Sequence, residues 1–425
     1  MHNRIVFEKL LKKSSSRLGR LVALTGARQT GKTTLAKQTL PDYPYVSLDD
    51  PIARPQYLNL SVPQWYHQYP QAVLDEVQKA PQLFETVKGL YDTYDNCRYL
   101  LTGSSQILLM DKVRESLAGR MTLLELYPLT LLEMQTQSWQ DKIDPSLLIQ
   151  CLRQVDLFKQ LSVAMPATSE HYASASEVFK DYQKYGAYPI LHASDLMHEE
   201  KKEWLRNYVK TYLQRDVRDL ANLRELEPFV KTQNATATLT GCIGNYSEIA
   251  TLASISPKTA KRFLTYLEMS YQIFTLQPWF RNTRKRLSKS PKIHFMDPGI
   301  LRAILGRQGP LTGQEFESAV VAEIYKQIKS YQMDIQLFHL NTADGREIDL
   351  LIELEEGYVP IEIKQANKIA SSSTRHFHQL EAILDKPIIH SIVLSNDIEV
   401  KSFGESITAL PIAFFLGTSH SILSN

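Results

Sequence analysis

A chain of 425 residues, 43% hydrophobic and 22% charged, has ordinary globular composition and enough length for two or three domains of about 100–200 residues each, which excludes a disordered or fibrous protein. Lys and Arg number 48 against 46 Asp and Glu, a formal net charge of +2. A whole-surface basic field is therefore excluded, and any nucleic-acid contact must come from local patches.

Cys97, Cys151 and Cys242 are far apart, odd in number and form no CxxC pair, which suits a reducing compartment. The first twenty residues are basic and amphipathic but lack the apolar core of about 7–15 residues that a secretory signal carries. No stretch reaches the roughly 18 consecutive apolar residues of a membrane helix. A soluble cytoplasmic protein without membrane contact is expected.

In chain order, Arg20–Thr25 is a short apolar strand ending in a glycine-rich turn, followed by a helix over Thr33–Leu40 that Pro41 stops. The turn reads Gly26-Ala27-Arg28-Gln29-Thr30-Gly31-Lys32-Thr33, with Thr34 next, and fits G-x-x-x-x-G-K-[ST]. Glycines let backbone N–H groups wrap phosphates, and the helix N-terminus adds a favourable dipole. Lys32 is expected on the β/γ-phosphates and the Thr33 hydroxyl on Mg²⁺, so ATP and Mg²⁺ are the expected cofactors.

Further apolar runs at Tyr45–Leu48, Ala72–Leu74, Tyr99–Thr102 and about Thr122–Leu126 alternate with helical patterning, the signature of a parallel sheet in an α/β layer. Asp75 and Glu76 close the second of these runs. A carboxylate at a strand tip can hold Mg²⁺ through water, the role expected of Asp75. Its neighbour Glu76 is expected to polarise the attacking water. Thr102 and Ser104 are candidate sensors of the γ-phosphate. Arg120 is open between an arginine finger, a charge stabiliser in cis and a structural salt bridge.

Residues 135–175 read as a linker with one or two inserted helices, and Phe179–Phe229 as helical, broken at Gly186-Ala187-Tyr188-Pro189. Residues 241–296 outline a winged helix-turn-helix. Helices at Ser247–Leu252 and Pro257–Glu268, the latter capped by Ser256, precede strands at Ile273–Leu276 and Lys292–Met296. The connection is basic, with Arg281, Arg284, Lys285, Arg286, Lys289 and Lys292 and no acidic residue, while Lys258, Lys261 and Arg262 fall on the recognition helix. DNA or RNA is one expected partner of this surface. The alternatives are a solvated loop or contact with an acidic partner domain.

The last segment alternates again. A helix at Gln314–Ser330, strands at Ile335–Leu340, Glu347–Glu353 and Tyr358–Lys364, a helix at Ser371–Leu384 and a strand at Ile388–Leu394 are expected. Asp349 lies in one strand and Glu362-Ile-Lys364 in the next, Glu362 and Lys364 on one face. The arrangement resembles the D…ExK signature of the PD-(D/E)xK nuclease fold, with Glu317 as a fourth member. Asp349 and Glu362 would then hold a second Mg²⁺ while Lys364 positions water. The plainer reading is a solvent-facing Glu–Lys pair, with His376 and His378 as surface residues.

Together, "GARQTGKT", "VLDEVQKAP", "LLTGSS", "SLAGRM…LYPLTLLE", "YQKYGAYP", "YLQRDVRDL", "KIHFMDPGI" and "REIDLLIE…VPIEIK" resemble a widespread bacterial and archaeal family of AAA-type ATPases with a C-terminal domain of unknown function. Residues 135–175 are longer than that pattern, and Ala187 stands where a second glycine is expected. The resemblance implies an α/β P-loop, AAA-like parallel-sheet domain at 1–134 and a linker and helical segment at 135–235. A winged-helix-like domain at 236–308 and a restriction-endonuclease-like α/β domain at 309–425 follow. Two functions fit: ATP hydrolysis acting on nucleic acid, or an ATP-gated switch or scaffold for a protein partner with an inert C-terminal domain. A third possibility is protein remodelling by a ring of subunits, in which Arg120 would act across the subunit interface.

Overall fold

The computed structural model describes residues 1–16, 19–103, 117, 119–163, 170–193, 195–213, 226–342 and 345–419. Ser104 and residues 214–220 of the "YLQRDVRDL" motif lie outside them.

The first layer is built from α1 (Val6–Ser15), β1 (Leu21–Thr25), α2 (Lys32–Thr39), β2 (Tyr45–Ser47), α3 (Arg54–Leu58), α4 (Val62–Gln68), β3 (Gln71–Asp75), α5 (Leu83–Thr93), β4 (Arg98–Gly103) and β5 (Met121–Glu125). Its five strands run parallel in the order β2-β3-β4-β1-β5. All five residues of β1 are buried, as a strand covered on both faces requires, and this is why it reads as a continuous apolar run. Two separate apolar clusters flank the sheet. One centres on Trp65, Phe84 and Tyr99, the other on Leu10, Leu35 and Leu126.

The middle of the chain is helical: α6 (Leu131–Met134), α7 (Leu147–Arg153), a 3₁₀ stretch at Val155–Val163, α8 (Glu170–Tyr185), α9 (His198–Tyr208), α10 (Glu227–Thr238), α11 (Tyr246–Ala253) and α12 (Pro257–Met269). α9 runs on into a π-helical turn at Val209–Leu213. The cap expected at Ser256 is present, its hydroxyl accepting from the Thr259 N–H at 3.2 Å. Then come β6 (Ile273–Pro278), α13 (Thr283–Ser288), β7 (Lys292–Phe295), α14 (Pro298–Leu305), α15 (Gly313–Ser330), β8 (Gln336–Asn341), β9 (Glu347–Glu353), β10 (Tyr358–Lys364), β11 (Ser391–Ser395), β12 (Lys401–Ser402), β13 (Ile407–Pro411) and α16 (Ile412–Gly417).

Three expectations change. The basic connection between β6 and β7 contains a short helix, α13. The helix expected over Ser371–Leu384 is two short 3₁₀ pieces, Ser371–Phe377 and Leu380–Ala382, separated by Gln379 at φ 59°. Most consequentially, the β6–β7 hairpin is continuous with the C-terminal sheet, because β6 pairs with β8. One eight-stranded mixed sheet, ordered β12-β13-β11-β10-β9-β8-β6-β7, therefore spans residue 308. The largest hydrophobic core likewise joins Ala27, Leu147, Phe274, Phe316 and Phe414, drawing on every expected unit.

Candidate nucleotide site

Parallel strands bring their C-terminal tips to one edge, and here that edge carries the P-loop, Asp75–Glu76 and Thr102. The loop between β1 and α2 needs its glycines. Gly26 sits at φ 149°, where a Cβ would lie 2.1 Å from the Leu126 carbonyl oxygen, and Gly31, at the N-cap of α2, sits at φ 92°. Between them Gln29 is also left-handed, at φ 64°. The turn thus leads directly into the first N–H groups of α2, the part of a helix that attracts phosphate.

The buried Lys32 ammonium donates to the Gly26 and Ala27 carbonyls at 2.9 and 2.8 Å, so it lies folded into the loop it is expected to serve. Thr30 donates to the Ala27 carbonyl at 2.8 Å. The Thr33 hydroxyl donates to the Asp75 carboxylate at 3.1 Å. The Tyr45 hydroxyl donates to the same Asp75 oxygen, and the Thr102 hydroxyl to the other. Asp75 is buried and thus held by three hydroxyls from β2, β4 and the start of α2. Next to it, Glu76 adopts φ 56°, rare for a side-chain-bearing residue, and accepts from the Gln78 side chain. Backbone of this kind persists where the surroundings fix it, and it turns Glu76 away from the strand direction. Thr34 is half-buried on the first turn of α2.

Arg120 is elsewhere. Register pairs Leu21 with Met121 and Thr25 with Glu125, so Arg120, preceding β5, sits at the end of the sheet opposite the P-loop. It bonds Asp92 at 2.8 Å. The charge-stabilising role in cis is corrected by that placement.

Several residues that motif reading missed grip the loop from distant segments. The buried Arg4 donates to the Thr30 and Tyr127 carbonyls, each at 2.6 Å, and pairs with Glu133 at 3.1 Å. Tyr208, at the end of α9, donates to the Arg28 carbonyl at 2.9 Å. Tyr271, after α12, bonds the Thr25 hydroxyl at 2.8 Å and Glu125 at 3.1 Å. Their sequence separations from the loop exceed any motif's reach, and no sequence signal marked them.

The C-terminal carboxylates also converge. Asp349 on β9 and Glu362 on β10 are buried, Lys364 bonds Glu362 at 2.6 Å, and His376 approaches the other Glu362 oxygen at 3.2 Å. The cluster has an unexpected member. Lys292 is 1% exposed, and its ammonium lies 2.7 Å from Glu317, 3.0 Å from Glu347 and 3.9 Å from Asp349. Its place in the basic wing is therefore corrected: it faces inward. Burial would lower its pKa, but Glu317, Asp349 and Glu347 together hold it above the usual lysine range. Burial, then Asp349, push Glu317 up to about 8 against the pull of Lys292. Of the other wing cations, Arg286 donates to the Phe280 carbonyl at 2.6 Å and lies over Phe338, and Arg281 donates to the Leu384 carbonyl at 3.1 Å. Arg284 and Lys289 are exposed, as are Lys258, Lys261 and Arg262 on α12.

Comparison with known proteins agrees with the P-loop geometry. Residues 19–135 match the model of an AAA domain, and residues 176–311 and 312–415 match two domains of unknown function (DUF8612 and DUF4143). This match and the loop geometry together support a P-loop ATPase domain over residues 19–135. Similar curated proteins are uncharacterised. One from Mycobacterium tuberculosis is 26% identical over 366 residues, covering 82% of this chain and 70% of its own. Another, from Methanocaldococcus jannaschii, is 25% identical over 314 residues, covering 69% and 64%. Among solved structures, a Walker-type ATPase of Pyrococcus abyssi superposes with TM-score 0.43 at 16% identity, over 70% of this chain and 95% of that one. A STAND (Signal Transduction ATPase with Numerous Domains) protein with a tetratricopeptide-repeat sensor, from Pyrococcus horikoshii, gives TM-score 0.26 at 14% identity, over 75% and 44%. No helix among the described residues is long and apolar enough to cross a membrane.

Proposed function

We propose that this protein is a Mg²⁺-dependent ATPase in which Glu76 activates the attacking water. The observation that carries the reading is the convergence of Thr33, Tyr45 and Thr102 on Asp75. A hydroxyl and a carboxylate side by side are the hard oxygen donors that Mg²⁺ prefers. Thr33 and Asp75 would hold the ion, which when bound neutralises charge on the β- and γ-phosphates. Lys32 exchanges its loop carbonyls for phosphate oxygens. Thr102 orients Asp75 through its carboxylate, and Glu76, fixed in its left-handed conformation, takes the proton of the water it orients.

Tyr208 links the P-loop to the helical middle, and Tyr271 links Thr25, the residue before the loop, to the segment before β6, so nucleotide state has a physical route to the rest of the chain. Nucleic acid would meet the exposed cations of α12 and α13. The C-terminal carboxylates favour a second reading, an ATP-gated switch or scaffold whose C-terminal domain cleaves nothing, because the Lys292 ammonium already occupies the space between Glu317 and Glu347. In an assembly, Arg120 would serve a neighbouring subunit.

Steady-state ATP hydrolysis, with and without DNA or RNA, tests these readings. Turnover stimulated by nucleic acid supports action on it, whereas ATP binding with negligible turnover under every condition supports the switch. Wild-type protein that binds no ATP would overturn both.

A further inference from the structure

The motif residues that the ATP site does not use build something else. Asp297, buried in "MDPGI", accepts from the Ala187 N–H at 2.7 Å and caps α14 through Ile300 at 3.0 Å. The contact is close: a Cβ on Gly186 would meet Asp297 at 2.0 Å, and one on Gly299 would meet the Tyr185 carbonyl at 2.1 Å. Gly186 sits at φ 78°, so "YGAYP" and "DPGI" hold the end of α8 against the start of α14.

Beside this contact opens a cavity of about 500 Å³, lined by Lys180 and Lys184 of α8, Lys202 and Arg206 of α9, Arg302 of α14 and Arg307 beyond it. No Asp or Glu is among its lining residues. Glu177, Glu199 and Glu315, all outside the lining, pair with Lys180, Lys202 and Arg307 at 2.7, 3.1 and 2.9 Å. Lys184 lies over the Tyr185 ring. Among the described residues, the guanidinium groups of Arg206 and Arg302 have no hydrogen bond or ion pair. Arg302 is half-buried, and desolvation lowers its pKa against the opposing pull of Glu315.

Glutamates outside the lining pair with three of these six cations, leaving the lining itself positive, and Glu315 offsets only part of the desolvation of the half-buried Arg302, which a bound anion would offset further. Arginines present planar forks that bind phosphate oxygens in pairs. The remaining wall is apolar, from Tyr185, Leu205, Ala303 and Leu311, and the volume lies in the range of small-molecule sites. We propose that this cavity is a second ligand site, separate from the P-loop, for a small multiply phosphorylated molecule held by Arg206 and Arg302. Its volume suits a compact ligand better than a nucleic-acid duplex. The site also shares α9 with Tyr208, so an occupant draws on the helix that contacts the P-loop.

The test is calorimetric titration of inorganic tripolyphosphate into the full chain carrying Lys32→Ala, without Mg²⁺, to silence the P-loop. Saturable one-site binding is expected, weakened about tenfold or more by Arg302→Gln and by Arg206→Gln. Arg206 is exposed, so its variant reports even where the Arg302 variant folds poorly. Competition by ADP would identify a nucleotide as the source of the phosphates, and tripolyphosphate binding that ADP does not displace would identify a bare polyphosphate. Binding unaffected by either substitution, no saturable binding, or arginine-dependent binding of a single-stranded oligonucleotide alone would overturn the proposal.

Discussion

The Lys292 ammonium lies 2.7 Å from the Glu317 carboxylate, joining β7 of the hairpin to α15 of the C-terminal region inside the protein. Removing one partner of a buried pair leaves the other charge uncompensated, at a cost of about 3–5 kcal/mol. Lys292→Met is therefore expected to lower unfolding free energy by about that amount in urea titrations above about pH 8, where Glu317 is ionised. Adding Glu317→Gln to the same chain should restore part of it. A loss below about 1 kcal/mol, the value of an exposed pair, would contradict the internal placement.

The three hydroxyls on Asp75 predict a separation of binding from chemistry. Thr102→Val and Tyr45→Phe remove donors to the carboxylate while leaving every P-loop residue in place, although the Tyr45 hydroxyl also meets Thr33. Each is expected to lower kcat about tenfold, equivalent to roughly 1.4 kcal/mol, while ATP affinity measured without Mg²⁺ stays within about twofold. Equal loss of Mg²⁺-free affinity would place these residues on the nucleotide instead.

Tyr208→Phe deletes the bond to the Arg28 carbonyl and keeps the ring stacked on Trp204, whose centroid is 4.8 Å away. The expected stability cost is about 1 kcal/mol. Because the bond lies on the P-loop backbone, ATP affinity should shift as well, read by titration of a fluorescent ATP analogue. A stability loss with unchanged affinity would make Tyr208 a packing residue only.

Acid should unfold the protein through buried histidines. Burial, helped at His339 by Lys292, lowers the pKa of His339 and His390 from 6.5 to about 4. Between those limits the unfolded chain binds more protons than the folded one, so the stabilisation is complete above about 6.5 and falls away as pH drops toward 4. Each histidine contributes at most about 3 kcal/mol over this window. His390 bonds Thr408 at 2.9 Å, and the slope of stability against pH should flatten in His390→Gln. An unchanged slope would show that other groups set it.

The ATP site was legible because its chemistry is local. Eight consecutive residues carry the P-loop, and Asp75 and Glu76 end an apolar run. The parallel sheet was legible too, since apolar runs alternating with helices point to an α/β layer. Lys292 was misread because a lysine in a basic stretch gives no sign of which way its strand faces. Only the pairing of β6 with β8 turns it toward Glu317 and Asp349. The 3₁₀ pieces near Gln379 were hidden because the local composition suits a helix, while the left-handed residue that interrupts it carries no glycine. Arg4, Tyr208 and Tyr271 reach the P-loop across tertiary distances that no spacing encodes.

The most direct measurement of the central claim is ATP turnover by the Glu76→Gln chain beside Lys32→Ala, with nucleotide binding measured on both. Glu76→Gln is expected to bind Mg-ATP close to wild type yet turn it over at least about 100-fold more slowly, the lower range for a lost general base. Lys32→Ala should lose both binding and turnover. Turnover untouched by Glu76→Gln while Lys32→Ala abolishes it would contradict the assignment and move the base to another residue.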